Sequence, residues 1–130
     1  MPISPWDYFV QMDSPNGHFA AIYDDAMEIA MGAPTRGVLK ISEKQSGRCI
    51  VQVTNANASF VWSSDSAALA VPQWTPKRMQ QLLIVSIPHG TIKPINGNYR
   101  VLQLASFHEG MVAGVDSPIH RPTKIAVKAA

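Results

Sequence analysis

Gln81-Leu82-Leu83-Ile84-Val85-Ser86-Ile87 is apolar at consecutive positions. A strand built from it would present hydrophobic side chains to both faces of its sheet. Strands of that kind lie inside, covered on both sides. Around this stretch ten prolines and eight glycines cut the chain at short intervals. Short apolar runs between such breakers predict strands and turns, not long helices. The expected strands are 19–23, 27–31, 37–42, 49–53, 59–62, 67–71, 81–87, 91–95, 99–107, 111–115 and 124–127. Tyr99-Arg100-Val101-Leu102-Gln103-Leu104 alternates, as a half-exposed strand does.

The turns carry their own signals. Asn96-Gly97 is the strongest hairpin signal, because a type I′ turn needs positive φ at both central positions. His89-Gly90, Glu109-Gly110 and Asn16-Gly17 after Pro15 are similar. In 24–31, Met27, Ile29 and Met31 alternate with Glu28 and Ala30, which favours a strand. A helix capped by Asp24 is the competing assignment. Residues 76–81 suit one short helical turn, with Thr75 as cap and Pro76 in first position. The expectation is a single β domain over 1–130: two packed antiparallel sheets, as a sandwich or partial barrel, with at most one short helix.

Composition narrows the class. Hydrophobic residues make up 46% and charged residues 15%, which excludes a disordered chain. So low a charged fraction leaves a surface rich in hydroxyls and amides, or an apolar patch that needs a partner. Eleven Lys+Arg against nine Asp+Glu give a net charge of +2. The cations are scattered and only Lys77-Arg78 are adjacent, so no nucleic-acid footprint is visible. Cys49 is the single cysteine, which excludes an internal disulfide, and its apolar context predicts a small core residue. No charged leader and no apolar run of membrane-spanning length is visible, so the expected compartment is the cytoplasm, with no membrane partner.

A repeat is visible as well. Ser14-Pro-Asn-Gly-His-Phe-Ala-Ala-Ile-Tyr23 parallels Ser63-Ser-Asp-Ser-Ala-Ala-Leu-Ala-Val-Pro72: a polar turn, then an apolar strand. Asp116-Ser117-Pro118 suggests a third copy. Repeats about 40–50 residues apart mark propeller blades. Trp62-Ser63-Ser64-Asp65-Ser66-Ala67-Ala68-Leu69-Ala70-Val71 resembles the turn-and-strand motif of a β-propeller blade of the TolB or WD40 type. The resemblance implies that the Ser and Asp side chains tighten the turn. Propellers close with at least about four blades, and this chain holds about two and a half. Blade-like hairpins in an open sandwich, a partial barrel or a dimer joined at a sheet edge are therefore expected.

Chemistry is thinly marked. His18, His89, His108 and His120 lack metal-ligand spacing, and no phosphate loop or nucleophile elbow occurs. No metal, cofactor or catalytic residue is expected. Asp24, Asp25 and Glu28 form an acidic group able to meet a basic partner, or to act as hydrolytic carboxylates. In 71–78 a loop stiffened by Pro72 and Pro76 shows Trp74, Lys77 and Arg78, residue types that dominate interface energetics. Trp74 in the core and the two cations merely solvated is the plainer alternative; Trp62 is expected in the core.

These features point to a non-enzymatic protein-binding module using Trp74, Lys77, Arg78, Asp24, Asp25 and Glu28. The general look is similar to small bacterial immunity proteins, which neutralise a cognate toxin or effector. That likeness implies a toxin partner with a neutral or acidic surface. A carbohydrate-binding sandwich with Trp74 and Trp6 as stacking platforms, and a small hydrolase, are the alternatives.

Overall fold

The computed structural model describes residues 4–28, 34–87, 89–117 and 121–126. Eleven strands and no helix are found among them. They are β1 (Val10–Asp13), β2 (Phe19–Glu28), β3 (Thr35–Glu43), β4 (Cys49–Ala56), β5 (Val61–Trp62) and β6 (Ala68–Trp74). Then follow β7 (Gln80–Ser86), β8 (Thr91–Tyr99), β9 (Val101–His108), β10 (Met111–Ser117) and β11 (Arg121–Ala126). All pairings are antiparallel, in one eight-stranded sheet and one three-stranded sheet, β11-β10-β9. The expected all-β architecture of two antiparallel sheets is what forms.

The larger sheet nearly breaks in the middle. β4 meets β6 through one residue pair, Ala56↔Gln73, so β1–β4 and β5–β8 are two up-and-down meanders. The core follows that division. Leu69, Val71, Leu83, Val85 and Ile87 pack with Ala21, Tyr23, Leu39, Ile41 and Val53 of the first meander. Ala70, Leu82 and Ile84, on the opposite face, pack with Leu102, Leu104, Phe107, Val112 and Ile125 of β9–β11. The molecule is thus a stack of three layers, and the doubly apolar 81–87 stretch lies in the middle one. Full burial of each large side chain contributes about 1.5–3 kcal/mol. The outward face of the first layer exposes Gln11, Lys40 and Gln52, in one row with the half-buried Ile22.

The expected repeat is realised bond for bond. Ser14 Oγ donates to Asn16 Oδ1 (2.7 Å), and Ser63 Oγ donates to Asp65 Oδ1 (2.6 Å). His18 N and Ala67 N donate to those acceptors at 3.0 Å each. Phe19 N donates to Ser14 Oγ (3.1 Å) as Ala68 N does to Ser63 Oγ (3.0 Å). Gly17 and Ser66 occupy the same left-handed position, at φ 77° and 63°. The third copy suggested at Asp116-Ser117-Pro118 falls partly outside the described residues. Asp116 Oδ1 accepts from Arg100 N and Val101 N (2.9 Å each), which secures the start of β9.

A buried polar network joins the last two layers. Gln80 Oε1 accepts from Leu102 N (2.6 Å) and Asn57 Nδ2 (3.1 Å). Ser59 Oγ accepts from Leu104 N (2.9 Å). The β4–β5 link therefore satisfies backbone groups of β9 that no strand pairs.

Several expectations are corrected. Asn96-Gly97 makes no hairpin: it lies inside β8, at a register shift between Leu82↔Ile95 and Gln80↔Tyr99, and the chain runs on to change sheets at Arg100. The turn with two positive φ values is Glu109-Gly110, at 50° and 75°, closed by the pair His108↔Met111. Strands 19–23 and 27–31 are one strand as far as Glu28, bent by an extra residue at Asp25 (φ 53°); residues 29–31 lie outside the described ones. Residues 75–79 are a hairpin loop, not a helical turn, because β7 begins at Gln80. The supposed loop from Val71 is strand through Trp74, and Pro72 pairs with Leu82. Cys49 is exposed. The β3–β4 register shifts between Ile41 and Ser42, so Ile50 and Val51 both turn toward the core and Cys49 falls outside.

Candidate functional site

Thr35 opens β3 and is almost completely buried (1% exposed). Each of its polar groups is used. Its N–H donates to Pro5 O (3.2 Å) and its Oγ1 donates to Asp7 O (2.6 Å). Tyr23 Oη donates to Thr35 Oγ1 (2.8 Å), since that hydroxyl's proton is already spent on Asp7. The indole N–H of Trp74 donates to Thr35 O (3.2 Å). One residue thereby ties the N-terminal segment, the first layer and the second layer together at one end of the stack. Burial pushes the Tyr23 phenol above its ordinary value.

The same end holds a pocket of about 240 Å³ lined by Glu28, Arg36, Trp74, Thr75, Pro76 and Arg78. The bulge at Asp25 sets its left wall, by bringing Met27 opposite Arg36 and Glu28 opposite Thr35. The β6–β7 loop sets the other wall. It is closed by Thr75 N to Met79 O (2.8 Å) and Arg78 N to Thr75 O (3.0 Å), with Arg78 held in the left-handed region (φ 58°). Tyr8 Oη donates to Glu28 Oε1 (3.1 Å) at the rim. Desolvation first, then that hydrogen bond and the Glu28 charge, hold the Tyr8 phenol above its ordinary value. Trp6, Tyr8 and Phe9 of the pinned segment are exposed, Phe9 most (62%), and so is Met27.

Neither guanidinium forms an ion pair, although Glu28 lines the same pocket. Among the described residues Lys44 pairs with Asp13 (2.6 Å), and His108 lies 3.6 Å from Glu109, an ion pair only when the imidazole is protonated. Arg36 Nη2 reaches only Met27 Sδ (3.9 Å), a weak contact.

Of the expected site residues, Glu28, Trp74 and Arg78 meet in this pocket. Trp74 is not displayed to solvent: it is 8% exposed, anchored by Thr35, and forms part of the pocket lining. That burial removes it as an open stacking platform. Lys77 is exposed on the loop but does not line the pocket. Asp24 is half-buried, with Oδ1 lacking a hydrogen-bond partner, and Asp25 is exposed at the bulge. Neither joins Glu28, so the acidic group does not converge. Arg36 was visible in the sequence only as one of many scattered cations. Its place follows from the β2–β3 register.

Other clusters carry less. Ser64 Oγ lies 2.8 Å from His108 Nδ1, and His108 Nε2 lies 3.6 Å from Glu109. All three are exposed, and they line neither the Arg36/Arg78 pocket nor the one around His18 and Lys44. With Ser64 N donating to Phe107 O (3.0 Å), this contact fastens the turn of the second layer to the third. No group of three or more His, Cys, Asp or Glu able to hold a metal ion occurs among the described residues. No helix there is long and apolar enough to cross a membrane.

No protein-family model and no curated protein sequence matches this chain. Among solved structures it is similar to the β-propeller domain of the Trilobed protease from Pyrococcus furiosus, which has an open velcro topology. The TM-score is 0.55 at 10% identity, over 94% of this chain and 44% of that one. The fold is therefore similar to that of part of a β-propeller. The chain spans less than half of the propeller domain it matches.

Proposed function

We propose that this chain is a non-enzymatic protein-binding module that docks its partner at the end of the stack formed by Tyr8, Glu28, Arg36 and Arg78. The observation that carries the reading is the pair of guanidiniums, neither in an ion pair, around a pocket beside exposed Tyr8, Phe9 and Met27. Arginine and aromatic residues are the side chains that anchor interfaces. The Thr35 hub fixes the backbone at Pro5 and Asp7 and the Trp74 indole beside them, which lowers the ordering cost of that segment. The narrower form of the proposal is an immunity protein: the partner is a toxin or effector encoded beside this chain, and a 1:1 complex silences it.

The test uses the partner captured from the native host and then purified. An Arg36→Glu/Arg78→Glu double variant should bind it at least about 30-fold more weakly, equivalent to about 2 kcal/mol. Unchanged affinity would remove this surface from the reading. The narrower form requires that the partner's toxic activity disappear on complex formation. A partner without such activity leaves only the broader one.

A further inference from the structure

We infer that the Arg36/Arg78 pocket receives a carboxylate side chain from an acidic segment of the partner protein. The inference rests on the docking reading above and names the chemistry of what docks. Two guanidiniums that form no ion pair line one pocket whose single carboxylate, Glu28, is bonded by Tyr8, and guanidinium forks bind carboxylates through paired N–H···O contacts. The pocket's volume, about 240 Å³, is below the range typical of drug-sized ligands and suits one acidic side chain. Glu28 on the same wall, bonded by Tyr8, disfavours a polyanion that would place several charges there at once. That argues for a protein carboxylate over a nucleic-acid backbone, whose binding draws on many cations. Pro76 and the buried Trp74 supply apolar lining for the methylene stem of a glutamate.

The experiment titrates the intact chain with acetylated, amidated tetraglutamate, followed by NMR of the Arg36 and Arg78 Nε–H and Trp74 indole N–H signals. Tetraglutamine and a thymidine dodecamer are run in parallel. The expected result is movement of all three signals with tetraglutamate and none with tetraglutamine. Affinity should fall at least tenfold in Arg36→Gln and in Arg78→Asn, the latter because asparagine tolerates the left-handed backbone there. Lys40→Ala, on the outward face of the first layer, should bind as the parent does. Equal losses in Lys40→Ala, no movement at millimolar tetraglutamate, or tighter binding of the dodecamer each overturn the inference. Unshifted Trp62 indole and melting signals in the variants establish that they are folded. If tetraglutamate fails but the double glutamate variant still loses the partner, the inference falls and the docking surface stands. If tetraglutamate binds and the partner is unaffected, the docking surface falls instead.

Discussion

Replacing Thr35 by valine keeps the shape of the side chain and removes one hydroxyl. That hydroxyl accepts from Tyr23 Oη at 2.8 Å and donates to Asp7 O at 2.6 Å. Tyr23 is 0% exposed, so its phenol would lose its partner in a site water does not reach. Leaving a buried donor unsatisfied costs about 1–3 kcal/mol, and the lost bond to Asp7 adds about 0.5–1.5 kcal/mol. The expected destabilisation is therefore about 2–4 kcal/mol, measured as a shift in the urea unfolding midpoint at unchanged slope. Tyr23→Phe alone should cost less, because Thr35 keeps Asp7. The double variant should be more stable than the sum of the two losses by about 1 kcal/mol or more, since neither partner then remains unsatisfied. A Thr35→Val variant within about 0.5 kcal/mol of the parent, the range of ordinary surface substitutions, would refute the assignment of Thr35 as the hub.

Asp65→Asn should cost less than about 0.5 kcal/mol at pH 7, because Asn16 makes the same bonds in the first turn. The Ser63 hydroxyl first, and the Ala67 N–H second, hold the Asp65 carboxyl below its ordinary 3.8. Its contribution is therefore present above pH 3.8 and lost as pH falls beneath it; unfolding midpoints across pH 2–5 should show that loss in the parent and not in the variant. The raised Tyr23 phenol has the opposite sign. The folded state keeps the proton more tightly, so stability holds below pH 10.0 and declines above it, less steeply in Tyr23→Phe. Gly37→Ala should cost about 1–3 kcal/mol in urea unfolding. A Cβ there would sit 2.7 Å from Asp24 O and 2.8 Å from the Tyr23 ring, and neither can withdraw.

Signals settled within a few residues were legible. The Ser14 and Ser63 turns close through bonds between near neighbours, and their strands follow. The 81–87 run was legible because coverage on both faces leaves no alternation to misread. Signals decided far along the chain were not. Asn96-Gly97 has the composition of a tight turn, yet it falls where the chain must leave one sheet for another. Cys49 and 24–28 were shifted by single extra residues, each of which inverts the side chains next to it. The acceptor that buries Trp74 is a carbonyl at Thr35, and Arg36 joins the pocket only through the pairing of β2 with β3. The β1 strand alternates over only four residues, too few to read alone, and is defined by its pairing with β2.

The outer side of the first meander has, at Gln11, Lys40 and Gln52, the character of a solenoid's capping repeat. Seating another sheet on it would strip water from the Lys40 ammonium and from the Gln11 and Gln52 amides. Each of them would need a new partner to offset several kcal/mol of desolvation. Those three side chains thus oppose growth of the stack on that flank, while the middle meander packs against a neighbour on either side.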